Sequence, residues 1–396
     1  MRITNRWLML AVVLLGTTIG MMGFAAPFPL LPVWIKELGL SRAEGGLLNG
    51  LWYLPGIAVA LPAGWAFDRY PVRRIMLVCW TLIVAGTLLM AAASSFPVLC
   101  AGRLLFSIGM NSHMVGAPKL VGNWFAGRRE LGLAMGLYTL AFTAGVFLAL
   151  NVLGRIAESG GSHPALQVLA ALSFAGLAIM AVVTDAPALP GAAPAAPAHG
   201  FHPWKLGRGA WILALGYFGY SIGTEGYLSF TPDFLVGKGM LLAAASSTVG
   251  SYALIAFVLK PILSSLLTRE RAQAYVCAAT AAALLSIAML FAPVPPMGSA
   301  AAMGLSLALG MPAFLALPAF LLPASQVGQG YGLYQLFYSL GFFAQPMVGA
   351  VVDWSGAYSA GFLVVASYTA LGFVVVTVTG LRSPVPGRAT LEHQKA

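Results

Sequence analysis

The chain has 396 residues, 59% of them hydrophobic and only 8% charged, with 46 glycines and a formal net charge of +10. No soluble domain of ordinary size hides that much apolar surface, so the composition places the chain in a bilayer. Its basic residues fall in short loops between apolar runs, which reads as membrane topology and not as nucleic-acid binding.

The first apolar run, about 7–31, continues past Phe24, too far for a cleaved secretory signal, and reads as a retained helix. About twenty apolar residues cross the hydrocarbon as a helix. Further runs of that kind follow at about 45–67, 75–94, 97–120, 131–153, 165–184, 210–235, 242–267, 273–292, 297–322, 330–353 and 358–381, so twelve transmembrane helices are expected. Between the sixth and seventh, DAPALPGAAPAAPAHGFHPWKLGRG reads as a flexible linker from its proline, alanine and glycine content. The expected division is an N-terminal six-helix bundle at 1–185, a linker at 186–209, a C-terminal six-helix bundle at 210–382 and a tail at 383–396. Cys79, Cys100 and Cys277 all lie in apolar runs, which leaves no disulfide framework and no CxxC metal site. No cofactor is expected.

With both termini in the cytoplasm, the inner segments hold fourteen Lys or Arg and the outer loops four, Lys36, Arg42, Arg155 and Lys238. That asymmetry sets the orientation under the positive-inside rule. The two halves also repeat each other. Shifted by 200 residues, Gly16, Gly23, Pro32, Gly39, Gly50 and Arg69 meet Gly216, Gly223, Pro232, Gly239, Gly250 and Arg269. Further on the shift becomes 196, and Gly136, Leu137, Tyr138, Gly145 and Phe147 meet Gly332, Leu333, Tyr334, Gly341 and Phe343. Six spans per copy make the repeat parallel about the membrane normal.

This plan, together with the loop after the second run, resembles the major facilitator superfamily of secondary transporters over nearly the whole chain. The family pattern G-x-x-x-D-R-x-G-[RK]-[RK] is similar to Gly64, Asp68, Arg69, Pro71, Val72, Arg73 and Arg74, with proline in place of the glycine and a valine among the basic residues. Its counterpart KPILSSLLTRER keeps Arg269 but has Ser264 for the glycine and Thr268 for the acid. The resemblance implies two bundles around a central cavity lined by helices 1, 4, 7 and 10. It also implies that Asp68 reaches the N-terminus of helix 11, where amides and the helix dipole favour an anion, as a latch worth about 1–2 kcal/mol. Arg69, Arg73 and Arg74 would hold loops and phosphate headgroups, or serve as topology charges alone. Arg128, Arg129 and Glu130 are expected to meet Arg269, Glu270 and Arg271 across the pseudo-axis.

An ionisable group at hydrocarbon depth costs at least about 2.5 kcal/mol and is a functional candidate by default. Arg103 shares a helix face with Ser107, Met110 and Met114. That face either lines the cavity or holds a structural arginine satisfied by neighbouring carbonyls. Glu225 shares a face with Ser221, Ser229 and Pro232, and its repeat mate is Ala25. Given the family's helix arrangement, Arg103 and Glu225 are expected to face one another. Lys260 precedes Pro261 and either enters the cavity or snorkels to the interface. His113 sits roughly 80° from the Arg103 face and is a proton carrier or a hydrogen-bonded core residue. Tyr331, Gln335, Tyr338, Phe342 and Gln345 form a stripe on helix 11 that faces the solute path or packs helices through its glutamines.

The expected function is secondary active transport of a small anionic organic solute, a carboxylate, with proton symport, in a bacterial cytoplasmic membrane. Arg103, Lys260, Tyr331, Gln335, Tyr338 and Ser107 are the candidate solute-binding residues. Glu225 and His113 are candidates for coupling or gating, joined at the cytoplasmic side by Asp68, Arg69, Arg73, Arg74, Glu130 and Arg269. Gradients must supply the energy, because no GxxxxGK[ST] phosphate loop is present. Alternatives are a transporter of zwitterionic amino acids or short peptides, a drug efflux pump, and a non-transporting membrane receptor. Efflux is disfavoured because GLYTLAFTAGVFLALNVLG lacks the family's helix 5 glycine-proline signature. An enzyme is disfavoured because HExxH and clustered acids are absent from the sequence. The expected partners are the solute, protons and membrane lipids, with no nucleic acid, around a monomer.

Overall fold

The computed structural model describes residues 5–125, 130–183, 206–268, 270–321 and 327–379. In the first half, α1 (Arg6–Ala25) bends at Ala26 into α2 (Pro27–Leu38), and α3 (Arg42–Gly50) is followed by α4 (Leu54–Arg69). Then come α5 (Val72–Ala91), α6 (Phe96–Trp124) and α7 (Leu131–Leu148), which passes through a π-helical segment (Ala149–Leu153) into α8 (Gly154–Gly160), and α9 (Ser162–Met180). The second half holds α10 (Arg208–Gly237), α11 (Leu242–Gly250), α12 (Tyr252–Ser265), α13 (Ala272–Met289), α14 (Pro296–Leu321), α15 (Val327–Ser339), α16 (Gly341–Ser355) and α17 (Tyr358–Thr379).

Ten of these stretches are long and apolar enough to cross a membrane, among the described residues. The two expected spans outside that set have local reasons. The run at 45–67 is broken at residues 51–53 between α3 and α4. The run at 210–235 is one continuous helix, α10, but it carries Ser221, Thr224, Glu225, Thr231 and Asp233. An α10 this polar needs protein on most of its faces, and all five of those side chains are buried or partly buried.

The internal repeat is visible in the helix boundaries. α3 and α11 each have nine residues, they begin at 42 and 242, and each breaks at a glycine, Gly50 or Gly250. Packing repeats as well. Gly16 lies against Met180 of α9, and its mate Gly216 lies against Val376 of α17. Within the first half α5 packs on α6 and α9, and α1 on α7; within the second α13 packs on α14, α12 on α14, and α10 on α17.

Asn5 and Thr379 lie at one end of the helices, here termed the terminal face; the other end is the distal face. Between the halves, α3 runs along α16, α2 against α10, and α8 with the π segment against α11, all toward the distal face. Among the described residues, the contacts of α4 with α15 and of α7 with α12, toward the terminal face, are sparser than those of α3 with α16. Glycine makes the distal seam tight. A Cβ on Gly50 would come 2.8 Å from the Phe342 carbonyl oxygen, and one on Gly46 would come 2.7 Å from the Pro346 Cα. Only a residue without a side chain lets two helix backbones approach so closely. Among the described residues the halves are therefore packed tightly at the distal face and more loosely at the terminal one.

Candidate functional site

A cavity of about 290 Å³ lies between the halves, lined from α1, α6, α7, α10, α12, α14, α15 and the turn carrying Trp52. Most of its wall is apolar or aromatic, including Phe24, Trp52, Phe142, Tyr217 and Tyr252, with Met21, Met114 and Met311 between them. Among the described residues, the charged side chains that line it are Glu225 and Lys260. An apolar chamber with a few convergent polar groups is the usual form of a small-molecule site.

Glu225 is held in a tyrosine cage. The hydroxyl of Tyr338 donates to its Oε1 over 2.7 Å, and the hydroxyl of Tyr53 donates to its Oε2. Tyr53 belongs to the first half and Glu225 to the second, so this carboxylate ties the two together at mid-membrane. The cage is ordered by ring contacts. Tyr53 meets Tyr338 edge to face at 4.9 Å, and Tyr217 stacks on Tyr338 at 5.9 Å and on Tyr334 at 5.1 Å. Such pairs add about 0.5–1.5 kcal/mol each beyond their buried area. Lys260, on α12, reaches the same cavity and has no salt bridge among the described residues. Pro261, beside it, removes one helical hydrogen bond at this depth.

Arg103 does not line this cavity, and the expectation that it faces Glu225 is corrected by its surroundings. The side chain is almost fully buried, and it donates to three main-chain carbonyls: Nη1 to Gly23 at 2.9 Å, Nη2 to Phe24 at 2.8 Å and Nε to Leu48 at 3.1 Å. Sequence explains why these acceptors exist. The Gly23 carbonyl would ordinarily accept from the residue four positions on, which is Pro27 and has no N–H. The Leu48 carbonyl lies in the last turn of α3, where intrahelical donors run out. Helix C-termini attract a cation, and each bond to a charged donor is worth about 1.5–3 kcal/mol net. Arg103 thus pins the broken ends of α1 and α3 onto α6. Ser107 also leaves the solute path, for its hydroxyl donates to the Arg103 carbonyl at 2.8 Å and is fully buried.

His113 is a core residue as well. Trp80 donates its indole N–H to Nδ1 at 3.3 Å, and Nε2 lies 3.0 Å from the Thr17 hydroxyl. An indole can only donate, so Nδ1 accepts and the ring proton sits on Nε2. Both nitrogens are occupied and the ring does not line the cavity, which removes the geometry a proton carrier needs. On helix 11, Tyr338 enters the site, whereas the side chains of Tyr331 and Gln335 lie outside the described residues. Gln345 is fully buried at the distal seam.

At the terminal face the expected pairing of Glu130 falls partly on Arg269, outside the described residues, and the pair present among the described ones is with Arg6. Glu130 accepts from Arg6 Nη2 at 2.9 Å. Both groups are about a third exposed, and such pairs contribute little, about 0–1 kcal/mol. Arg69 is exposed and stacks over Trp65 at 5.5 Å, and Arg73 and Arg74 are exposed. The side chain of Asp68, together with Arg128, Arg129 and Arg269, lies outside the described residues.

Several residues escaped the sequence reading. Arg42, counted there only as a loop charge, joins the halves at the distal face. Its Nε donates to Asp233 Oδ2 at 3.0 Å and to the Tyr358 hydroxyl at 2.7 Å. Its backbone N–H and that of Ala43 donate to Asp353 at 3.1 and 2.8 Å. Tyr358 also bonds Asp233. The available signal was two acids, Asp233 and Asp353, near the outer ends of two spans in a chain with 11 acidic residues in all. Tyr53 and Tyr217 gave no such signal, because a tyrosine in an apolar run looks like packing or an interfacial anchor.

Comparison with known proteins adds the following. A family model described as Major Facilitator Superfamily matches residues 13–301 and 213–396. Sugar efflux transporter A of Escherichia coli is 32% identical over 159 residues, 39% of this chain and 39% of the relative. Solute carrier family 2, facilitated glucose transporter member 10, of Mus musculus is 33% identical over 122 residues, 30% of this chain and 22% of the relative. The chain therefore spans well under half the length of these curated relatives. Among solved structures, a mutant of the nucleoside transporter NupG superposes with a TM-score of 0.78 at 14% identity, covering 95% of this chain and 100% of that one. At that identity the likeness is one of fold.

Proposed function

The chain belongs to the Major Facilitator Superfamily, and from that premise we propose that it is a secondary active transporter of a small organic anion, a carboxylate with an apolar or aromatic body. The observation that carries this reading is the pair of charges on the cavity wall. Glu225 is already bound at both oxygens by tyrosine hydroxyls, whereas Lys260 shows no acidic partner among the described residues. An ammonium in an apolar chamber gains most from an anion, and the rings and methionines around it suit an apolar body. A zwitterion would have to displace a tyrosine to reach Glu225 with its amine, so it fits less well. A neutral sugar would need several amide and hydroxyl partners. Of the polar side chains on the wall, Asn111 donates to the carbonyls of Trp52 and Ser107, Thr139 to that of Gly136 and Thr224 to those of Tyr220 and Ser221, so a sugar would compete with these bonds and keep mainly Thr143 and Ser221.

In this reading Glu225 couples protons. Ionised, it accepts from both Tyr53 and Tyr338 and ties the halves together. Protonation turns one of its acceptor oxygens into a donor, so one tyrosine bond must reverse or break and the tie weakens. The halves then rock about the cavity by alternating access. Twelve spans, two bundles at 1–185 and 210–382 joined by a linker, and a cytoplasmic terminal face in a bacterial inner membrane complete the proposal, with fourteen basic residues on that face against four opposite. The terminal-face residues Asp68, Arg69, Arg73, Arg74 and Arg269 would then act when that face closes. Purified protein in proteoliposomes, with an imposed pH gradient and a panel of labelled monocarboxylates, tests the reading. Gradient-driven accumulation that Glu225→Gln uncouples is expected. Binding without flux would contradict transport.

A further inference from the structure

The distal seam contains two carboxylates that each cap a helix of the opposite half. Asp353, at the end of α16 in the second half, accepts from the backbone amides of Arg42 and Ala43, the first turn of α3 in the first half. Glu158, in α8 of the first half, accepts from the amide of Ala243, the first turn of α11 in the second half. Leu241, the residue before α11, offers no side-chain cap of its own, so Glu158 supplies what that helix end lacks.

These two contacts are copies of one another. Ala43 and Ala243 are mates at the shift of 200. The acids at 158 and 353 differ by 195, whereas Gly145 with Gly341 and Phe147 with Phe343 differ by 196. The π segment at Ala149–Leu153 accounts for the change, because a π turn holds one residue more than the α-helix around it. Beyond it the shift of 195 also pairs Gly154 with Gly349. Each of these glycines is the close-approach point of its arm: a Cβ on Gly154 would come 2.8 Å from that of Ser246, and one on Gly349 would meet the Arg42 backbone. The inserted residue thus turns α8 so that Glu158 falls on the Ala243 amide, as its repeat mate Asp353 falls on the amide of Ala43 on the other side.

The seam is also made to part. Asn49, Gln345 and Ser246 are buried there with side-chain polar atoms that find no hydrogen-bond partner among the described residues. Such atoms are costly when dry and recover their bonds when water enters. They oppose the two carboxylates and keep the closed form from becoming permanent.

We propose that Glu158 and Asp353 are the two arms of a duplicated distal latch, which set the population of the state closed at that face. Arg42 reinforces one arm through Asp233 and Tyr358, and its mate Leu242 gives the other arm no cation. The inference rests on alternating access alone and is independent of which solute is carried. Two cysteine reporters test it in detergent-purified full-length protein whose three native cysteines are replaced by alanine. Ser246→Cys reports opening of the distal seam, and Leu315→Cys, on the cavity wall toward the terminal face, reports opening there. Against a soluble maleimide, Glu158→Ala and Asp353→Ala should each speed labelling at 246 about five- to tenfold and slow it at 315, with a larger effect when combined. Unchanged labelling at 246 in either single variant would overturn the duplicated latch. A rise at both reporters would mean general loosening and would overturn it too. Loss of carboxylate binding with these rates intact would strike the transport proposal and leave the latch standing.

Discussion

Arg103 and Lys260 are both cations at membrane depth, and their surroundings assign them different work. Three carbonyls already satisfy Arg103, while Lys260 lines the cavity. Arg103→Ala should therefore destabilise the protein, at about 1–3 kcal/mol for each buried carbonyl left without a partner. Any protein that remains folded should bind solute as wild type does, which a thermal unfolding curve with and without ligand measures. Lys260→Gln should show the reverse, near-normal stability and lost binding. Sequence alone marked both residues through the cost of charge in hydrocarbon. It also left open a structural arginine held by carbonyls, but separating the two roles needed the acceptors. The Gly23 carbonyl released by Pro27 was readable from residue spacing; its meeting with a guanidinium 80 residues away was not. Glu225 was legible for the same reason as Arg103, and its partner Tyr53 was not, since an aromatic ring in an apolar span carries no sign of the hydroxyl's partner.

At the scale of helices, glycines have two different duties, and substitution separates them. Gly46 and Gly50 let α3 approach α16 across the seam, whereas Gly176 lets α9 approach Trp80 within one half. Gly46→Val should leave helix content and melting behaviour close to wild type while opening the distal face, read as faster maleimide labelling of Ser246→Cys. Gly176→Val should overpack a core and lower stability by about 1–3 kcal/mol. The helices themselves were largely readable, because length, hydropathy and glycine positions repeat at shifts of 200 and 196, although the breaks after Gly50 and Gly250 inside two expected spans were not. What escaped was the single-residue change of register in helix 5. A π turn leaves no compositional mark, and the acids it aligns, Glu158 and Asp353, are too few and too far apart to suggest one another.

For the whole molecule, the proposed alternating access makes the repeat, the tight distal seam and the looser terminal face one member of a pair of states. The other state would open the distal face and bring Asp68 and Arg69 of α4 toward α15. Tyr53 and Glu225 sit between these two mouths, so a proton or solute arriving there acts on both. The claim on which this account most depends is that the cavity recognises negative charge through Lys260. It is tested by thermal stabilisation of the purified protein with aromatic monocarboxylates and with the neutral amides of the same acids, on wild type and Lys260→Gln. The account predicts that carboxylates alone stabilise wild type and that neither class stabilises the variant. Equal stabilisation of wild type by carboxylates and amides, or undiminished stabilisation of Lys260→Gln by carboxylates, would contradict it.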